Sequence, residues 1–430
     1  MAGRSKPAVV ELICVGTELL GDHVNTHEAY IGRTLRERGL SLSRAVTMPD
    51  DEKPLRRAVA ESLRRCDVLI TSGGLGPTFD DLTREAVAGA LGRKLVFKPA
   101  LWREIEAKLT RRHMPVPEEN KRQAYAIDGA KILKNARGSA PGQLVRRARA
   151  GRPPQLIALL PGPYSELSPI FEERLLPVVL REHARGLHAR SAVFRLSGVT
   201  ESFADEKLSA LTSRPPEGAS FTILAGGGQV DFHARVVDGD ARRAERTLEY
   251  IRARVRQAVG AHLFGEGDAS LESAIGAALA ERGWTLAVAE SCTGGGLGQK
   301  ITSVPGSSKY FRGGVIAYAN ELKRSLLGVS ARTLARHGAV SAECAREMAR
   351  GARRACGATL GLSITGIAGP AGGSDGKPVG LVHVGVAGPG EGDCFSRELR
   401  LGSERGTIRA RSAAAALDAV LRLCRERALA

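Results

Sequence analysis

Short apolar runs alternate along this chain with stretches in which apolar residues recur every three or four positions. Residues 9–16 and 66–74 are apolar runs that end in glycine, and the apolar run over 156–163 ends in a Gly/Pro turn, all of which is typical of buried strands. Residues 25–39 carry the helical period and end at a glycine, and a second helix is expected over 53–65. Strands that alternate with helices predict a doubly wound α/β domain with a parallel sheet over residues 1–170.

The pattern changes after this first domain. Residues 191–198 predict a strand, 200–211 a helix, 219–238 two strands across a Gly-rich turn, and 241–260 a long amphipathic helix. We therefore expect a small α+β module over 171–262, with residues 262–270 as a joint.

A second α/β domain is expected over 263–430. Residues 271–291 predict a helix, a glycine stop and a strand, and the apolar runs at 358–366 and 380–388 predict two further strands. The chain thus has three predicted parts, and the outer two are α/β domains. Chemistry in such domains is expected at the carboxyl ends of the strands.

Charge and cysteine content restrict the classes of function. The net charge of +17 is compatible with nucleic-acid binding, but the basic residues are spread along the chain rather than gathered in one stripe. The seven cysteines form no CxxC pair, which favours reduced thiols. No apolar run approaches the roughly 20 residues of a membrane helix. We expect a cytoplasmic protein without a membrane or nucleic-acid partner.

The C-terminal domain contains a candidate nucleophile. Ser291 lies between an apolar strand and a Gly-rich turn in the segment AESCTGG, where backbone N–H groups can stabilise an oxyanion. The equally simple alternative is that Ser291 or Thr293 caps the next helix. Lys323 follows another strand in GGVIAYANELK and is either a base or a solvated lysine. Thr365 and Gly366 end a third strand, before a Gly-rich loop that is either a ligand site or a connector.

These segments together resemble the CinA (competence/damage-inducible protein A) family. AESCTGG, GGVIAYANELK, HGAVS and ITGIAGPAGG occur in order, and the resemblance covers nearly all of residues 270–425. It implies a nicotinamide mononucleotide deamidase that needs no cofactor, with Ser291 as nucleophile and Lys323 as general base. Tyr318 and Thr365 would tune Lys323 or orient the substrate amide. The substrate would contact a further set: Thr293, Gly294, Gly295, Gly366 and Arg409.

The N-terminal domain carries a second candidate site. Gly74 belongs to a Gly-rich turn after a strand, where a phosphate can meet the backbone, and clustered carboxylates are ligands that a divalent metal prefers. Asp80 could instead cap a helix that holds Thr83 in its first turn, and Glu18 could be a solvated loop residue.

The resemblance to the CinA family extends to this domain, which is similar to molybdopterin-binding domains, and it makes the middle module KH-type. It implies metal-dependent cleavage of ADP-ribose to AMP and ribose phosphate. The candidate metal ligands are Glu18, Asp80 and Asp81, the candidate substrate contacts are Asn25 and Gly74, and Asp50 and Glu166 are further candidates. We expect small nucleotides as partners and a homodimer. The alternative is a non-catalytic protein of competence and recombination, or a pterin- or nucleotide-binding module. A hydrolase, unlike a binder, requires Ser291, Lys323 and Thr365 around one pocket.

Overall fold

The computed structural model describes residues 8–113, 115–390, 392–402 and 404–426. These residues divide into two compact units. One unit comprises the described residues up to Arg190 together with Val237–Glu245, and the other comprises Ser191–Val236 and the described residues from Arg246 onward. Most of the predicted middle module therefore belongs to the same unit as the C-terminal domain.

The first unit alternates strands and helices as predicted. Its elements are β1 Val10–Val15, α1 His27–Glu37, β2 Leu42–Met48, α2 Glu52–Ser62, β3 Val68–Ser72, α3 Thr83–Leu91, β4 Leu95–Phe97, α4 Pro99–Arg111, β5 Tyr125–Ile127, β6 Lys131–Leu133, β7 Gly142–Arg149, β8 Arg152–Leu160, α5 Tyr164–Ile170 and α6 Leu176–His183.

A six-stranded sheet in the order β2-β1-β3-β8-β7-β6 forms the centre of this unit. The four strands from β2 to β8 are parallel, as the α/β pattern predicts. At one edge, β7 pairs antiparallel with β8, and β6 pairs antiparallel with β7. The turn at Ala150 and Gly151 explains the first of these pairings, because a two-residue connection forces neighbouring strands to be antiparallel.

Apolar layers cover both faces of this sheet. One layer includes Phe171, Leu175 and Val179, which lie in a π-helical stretch after α5 and in α6. The boundary predicted near residue 170 falls inside this continuous helical segment. The first domain therefore needs residues beyond 170 to complete its core.

The elements that follow α6 are β9 His188–Ser197, α7 Glu201–Thr212, β10 Ala219–Gly226, β11 Gln229–Asp238, α8 Ala241–Val259, β12 Leu263–Glu266, α9 Leu271–Glu281, β13 Leu286–Glu290, α10 Gly296–Thr302, β14 Phe311–Ile316, α11 Asn320–Ser325, α12 Ala331–His337, α13 Ala342–Ala355, β15 Leu360–Gly366, β16 Leu381–Ala387, β17 Cys394–Arg400 and α14 Arg405–Glu426.

The middle module is an α+β structure with a sheet in the order β10-β11-β9-β12. Residues 262–270, expected to be a joint, contain β12, which pairs with β9. The module also contacts the C-terminal helix, because Ser197 Oγ donates to Asp418 Oδ1 at 2.7 Å, and Arg422 Nε donates to the same carboxylate at 2.8 Å. The KH-type assignment of this module stays a prediction.

The C-terminal domain has a five-stranded sheet in the order β14-β13-β15-β16-β17. β14, β13 and β15 are parallel, and β16 and β17 are antiparallel additions. α9 and α14 supply apolar side chains to one face and α13 to the other. The carboxyl ends of β14, β13 and β15 therefore meet at one edge, where the predicted residues lie.

Two further predictions concern the whole chain. All seven cysteines are free. Within the described residues, no helix combines the length and the apolar character that a bilayer span requires.

Candidate functional site

Ser291 directly follows β13 at the carboxyl edge of the C-terminal sheet. Its N–H donates to the carbonyl of Ile364 on β15 at 3.0 Å, which fixes the residue against the neighbouring strand. The residue is 9 % exposed, so its side chain lies just below the surface. Ser291 is therefore held in a defined position where a small ligand could reach it.

Lys323 extends from α11 to this serine. Its Nζ lies 3.1 Å from Ser291 Oγ, 2.9 Å from the carbonyl oxygen of Ala317 and 3.0 Å from that of Tyr318. The residue is 2 % exposed, and burial lowers the pKa of its amine. Within the described part of the chain, no carboxylate forms an ion pair with Lys323 that would stabilise the ammonium form.

Three oxygen atoms surround Lys323 Nζ, and the ammonium form can donate to all three. The neutral form, which burial favours, bonds the same three atoms differently. A neutral amine has two N–H donors and one lone pair, and the two carbonyl oxygens can take the two donors. The lone pair then faces Ser291 Oγ, whose hydroxyl can donate to it. This is the arrangement of a nucleophile and its general base.

Glu290 organises the Gly-rich turn after Ser291. Its buried carboxylate accepts the N–H groups of Gly295 at 3.0 Å, Leu297 at 3.0 Å and Gly298 at 2.8 Å. Neither Ser291 nor Thr293 caps α10, because Glu290 already satisfies the amides at its start. Glu290 was not among the residues predicted from the sequence, although a carboxylate just before a Gly-rich helix start is a recognisable signal.

This network corrects part of the predicted substrate site. The N–H of Gly294 donates to the carbonyl of Ser291 at 3.1 Å, and the N–H of Gly295 donates to Glu290. Both amides therefore already have partners inside the protein and are not available to an oxyanion. The positive φ angles of 56° at Gly294 and 95° at Gly295 show that these glycines shape the turn.

Thr293 and Arg409 retain polar atoms that none of the described residues satisfies. Thr293 Oγ1 and Arg409 Nε are both buried and have no hydrogen-bond partner among the described residues. Arg409 Nη2 donates to the carbonyl of Thr293 at 2.7 Å, so the two residues are adjacent. Unsatisfied donors of this kind suit a polar or anionic ligand.

Tyr318 and Arg405 lie at the outer rim of this site. Tyr318 is 62 % exposed, and Arg405 Nη2 lies 3.5 Å from its hydroxyl. Arg405 also donates to the carbonyl of Gly369 at 2.7 Å. Arg405 was not among the residues predicted from the sequence, although its spacing of four residues from Arg409 places both on one face of α14.

Thr365 and Gly366 lie close to the site, but their contacts stabilise the protein and leave no evident role in substrate binding. Thr365 Oγ1 donates to the carbonyl of Ala339 at 2.7 Å, so its hydroxyl holds the α12–α13 connection rather than contacting Lys323. A Cβ atom at Gly366 would lie 2.6 Å from Val382 Cγ2 and 2.8 Å from the carbonyl of Leu381. Close packing therefore accounts for this glycine, and the prediction that it contacts substrate has no support in its surroundings.

Cys292 is the residue next to Ser291 and the alternative nucleophile. It packs in the apolar core, and burial raises the pKa of its thiol to about 11. The thiol form is therefore strongly favoured near neutral pH, whereas a cysteine nucleophile acts as thiolate.

The first unit contains a separate cavity of about 370 Å³ at the carboxyl end of its parallel strands. Its lining brings together these predicted residues: Glu18, Asp50, Gly74, Asp80, Asp81 and Glu166. Most of the carboxylates already have partners. Asp81 accepts the N–H groups of Gly76 and Thr78, at 2.7 and 2.9 Å, and Asp50 accepts that of Thr17 at 2.7 Å.

The predicted metal ligands do not form a complete cation site. No group of three or more histidine, cysteine, aspartate or glutamate side chains suited to a metal occurs among the residues that the structure describes. Asp81 is occupied by the turn at Gly76 and Thr78. The divalent metal stays a prediction from family resemblance, and we derive no reaction step through it.

Asn25 does not line the cavity and must be removed from the predicted contacts. Its Oδ1 accepts the N–H of His27 at 3.1 Å, and its Nδ2 lies 3.4 Å from Thr47 Oγ1. These contacts stabilise the start of α1, which explains the residue without a ligand.

Comparison with known protein families matches two parts of the chain. Residues 11–181 match the description "Probable molybdopterin binding domain", and residues 268–424 match "CinA C-terminal domain". The two matched ranges coincide with the two units' α/β domains and include both candidate sites.

Two whole-chain relatives agree with these matches, and one solved structure is reported with them for comparison only. The "CinA-like protein" of Dictyoglomus thermophilum is 37 % identical over 95 % of this chain and 97 % of its own length. The "CinA-like protein" of Parasynechococcus marenigrum is 42 % identical over 93 % of this chain and 94 % of its own. A crystal structure of the competence/damage inducible protein CihA from Agrobacterium tumefaciens is 39 % identical, with 36 % of this chain and 93 % of that chain covered and a TM-score of 0.35.

Proposed function

The chain belongs to the CinA family, and on that premise we propose that its C-terminal site hydrolyses the carboxamide of nicotinamide mononucleotide to nicotinate mononucleotide and ammonia. The observation that carries this proposal is the 3.1 Å separation between Ser291 Oγ and the buried amine of Lys323. A protein that only binds a partner has no need for this pair, so the geometry favours the hydrolase over the binder.

The reaction divides into two steps at one serine. Lys323 Nζ accepts the hydroxyl proton of Ser291 while Oγ attacks the carboxamide carbon, and the ammonium of Lys323 then protonates the leaving nitrogen. Ammonia departs and an ester of Ser291 remains. A water molecule, deprotonated by Lys323, attacks the ester carbonyl. The ammonium of Lys323 returns this proton to Ser291 Oγ as the bond to Oγ breaks, and the acid product loses its remaining proton to solvent as nicotinate mononucleotide.

The donors around the pair have complementary roles in this proposal. Thr293 Oγ1 is buried without a partner in the described part of the chain, and it is suited to the oxyanion that forms at the carbonyl oxygen. Arg409, with its unsatisfied Nε, is suited to the phosphate of the nucleotide. Arg405, at the rim beside Tyr318, adds positive charge that attracts the anionic substrate.

The decisive experiment measures ammonia and nicotinate mononucleotide from purified full-length protein. Wild type should release both in equal amounts, and Ser291→Ala should release neither. Ser303→Ala is the matched control, because Ser303 lies on the same domain and its hydroxyl only bonds the carbonyl of Lys300. Ammonia release by Ser291→Ala at the wild-type rate would eliminate the serine mechanism.

We also propose that the cavity of the first unit binds a nucleotide pyrophosphate and cleaves ADP-ribose to AMP and ribose phosphate. The specific support is the Gly-rich turn at Gly73–Gly76, which lines a cavity of suitable size at the carboxyl end of the parallel strands. AMP formation from ADP-ribose with Mg²⁺ or Mn²⁺ tests this activity. Absence of AMP under all these conditions, with ammonia release intact, would restrict the enzyme to the C-terminal reaction.

A further inference from the structure

The Gly-rich turn of the first unit has an ordered row of carbonyl groups. Thr83 Oγ1 donates to the carbonyl of Gly73 at 2.9 Å, and the N–H of Thr83 donates to that of Gly74 at 3.2 Å. Arg84 Nη1 donates to the carbonyl of Leu75 at 2.7 Å, and its Nη2 to that of Gly76 at 2.9 Å. Two residues at the start of α3 thus hold four consecutive carbonyl oxygens.

Because peptide bonds are planar, the directions of these carbonyl groups also fix the directions of the neighbouring amide N–H groups. In a trans peptide the N–H of one residue points opposite to the carbonyl of the residue before it. The amides of Gly74 and Leu75 therefore point away from Thr83, and both residues line the cavity. The N–H of Gly76 is taken by Asp81, whereas those of Gly74 and Leu75 have no hydrogen-bond partner over the described residues.

Arg84 is an unusual residue to hold main-chain carbonyl groups in place. It is 1 % exposed and among the largest fully buried side chains of the chain, and within the described residues its hydrogen bonds are to main-chain carbonyls only. A buried charge without a bonded carboxylate is expensive, so a function for this arrangement is expected. The planar guanidinium has two parallel donors that can hold two successive carbonyls at a fixed separation, which a lysine cannot do.

Close packing restricts the backbone conformation of the turn. A Cβ atom at Gly74 would lie 2.2 Å from Thr83 Oγ1, and one at Gly73 would lie 2.1 Å from the carbonyl of Val15. Gly73 also has a φ of 100°, which favours glycine. The turn is therefore compressed between β1 and α3, and the side chains of Thr83 and Arg84 set its orientation.

From these contacts we propose that Thr83 and Arg84 are positioning residues that aim the amides of Gly74 and Leu75 at a phosphate group in the cavity. The ligand class is a pyrophosphate, whose oxygens accept two adjacent N–H donors. Neither residue contacts the ligand itself. This inference deepens the proposed nucleotide site of the first unit and rests on it.

The test measures binding of inorganic pyrophosphate by calorimetry and, separately, KM and kcat for AMP formation from ADP-ribose. Arg84→Met should weaken pyrophosphate binding about tenfold or more, because the turn loses the two charged donors that orient it and has to be ordered again when the ligand binds. Arg84→Lys should also bind weakly, since it keeps the charge but not the paired donors. In both variants KM should rise more than kcat falls, and ammonia release at the other site should stay at the wild-type rate.

A matched control separates this role from general stabilisation. Arg93 also donates to two main-chain carbonyls, those of Asp128 and Arg146, but does not line the cavity. Arg93→Met should leave pyrophosphate binding unchanged. Equal binding by Arg84→Met and Arg93→Met, or full binding by Arg84→Lys, would overturn the proposal.

A second pair of variants decides the matter if Arg84→Met does not fold. Thr83→Val removes the bond to the Gly73 carbonyl at nearly constant volume and should weaken pyrophosphate binding, whereas Thr83→Ser should restore it. Equal binding by both overturns the proposal. Wild-type protein that binds pyrophosphate but forms no AMP would refute only the hydrolysis, whereas wild-type protein that binds neither pyrophosphate nor ADP-ribose would overturn the positioning role as well.

Discussion

Replacing Lys323 tests the central assignment of the C-terminal site. Lys323→Met keeps a long apolar stem in a position that is 2 % exposed, but it removes the atom that lies 3.1 Å from Ser291 Oγ. A positioned general base accelerates a reaction by about 10²–10⁴. At about 1.36 kcal/mol per tenfold change, this corresponds to about 2.7–5.4 kcal/mol of transition-state stabilisation. We therefore expect kcat for ammonia release to fall by about 10²–10⁴.

Two further variants make this prediction specific. Lys323→Arg keeps the positive charge, but a guanidinium does not lose its proton near neutral pH, so it should be as inactive as Lys323→Met. The double variant Ser291→Ala with Lys323→Met should be no less active than Ser291→Ala alone, because a nucleophile and its base act as one unit.

The assay follows ammonia with a coupled dehydrogenase and nicotinate mononucleotide by chromatography. Lys300→Met is the matched control, because Lys300 belongs to the same domain and forms an ion pair with Glu272, away from Ser291. Activity of Lys323→Met within about tenfold of wild type would refute the assignment, since general-base catalysis contributes more than that. Additive losses of activity in the double variant would also refute the assignment.

Four other outcomes follow from the same site. Cys292→Ala should keep wild-type ammonia release, and a loss as large as that of Ser291→Ala would make the thiol the nucleophile. Glu290→Gln should lower the free energy of unfolding by about 2–3 kcal/mol in urea, because an amide cannot accept three N–H groups, and an unchanged midpoint would contradict this. Arg409→Met should raise KM for nicotinamide mononucleotide about tenfold with little change in kcat, and a loss confined to kcat would exclude phosphate binding. In wild type, kcat should rise with pH and level off above the pKa of Lys323, because only the neutral amine accepts a proton. Burial lowers that pKa below 10.5, so a rise in kcat centred above pH 10.5 would contradict the role of Lys323 as general base.

The arrangement of the C-terminal site could be predicted in part because strand ends are visible in the sequence. Ser291 and Lys323 both follow apolar strands that proved to be parallel neighbours, so their proximity follows from the fold. The role of Glu290 could not be predicted in the same way. Its carboxylate reaches forward over five to eight residues to bind amides, and strand periodicity gives no sign of that contact.

The N-terminal site could likewise be predicted from the sequence only in part. The Gly-rich turn and the carboxylates around it were recognisable, and they do share one cavity. The hydrogen bonds of these carboxylates could not be recognised from the sequence, because the partner of each carboxylate depends on local turn geometry. Asp81 binds the turn itself, and Arg84 was overlooked because a helical arginine is usually solvated. The antiparallel edges of both sheets were also missed, since apolar runs do not reveal strand direction.

The way in which Ser291 and Lys323 are held has a practical consequence. Main-chain groups fix both residues: the carbonyl of Ile364 binds Ser291, and those of Ala317 and Tyr318 bind Lys323. The reactivity of the hydroxyl is thus a property of the resting protein, independent of substrate. Small serine-directed electrophiles, such as fluorophosphonates, should acquire a covalent bond at this position, which offers a starting point for chemical probes and inhibitors.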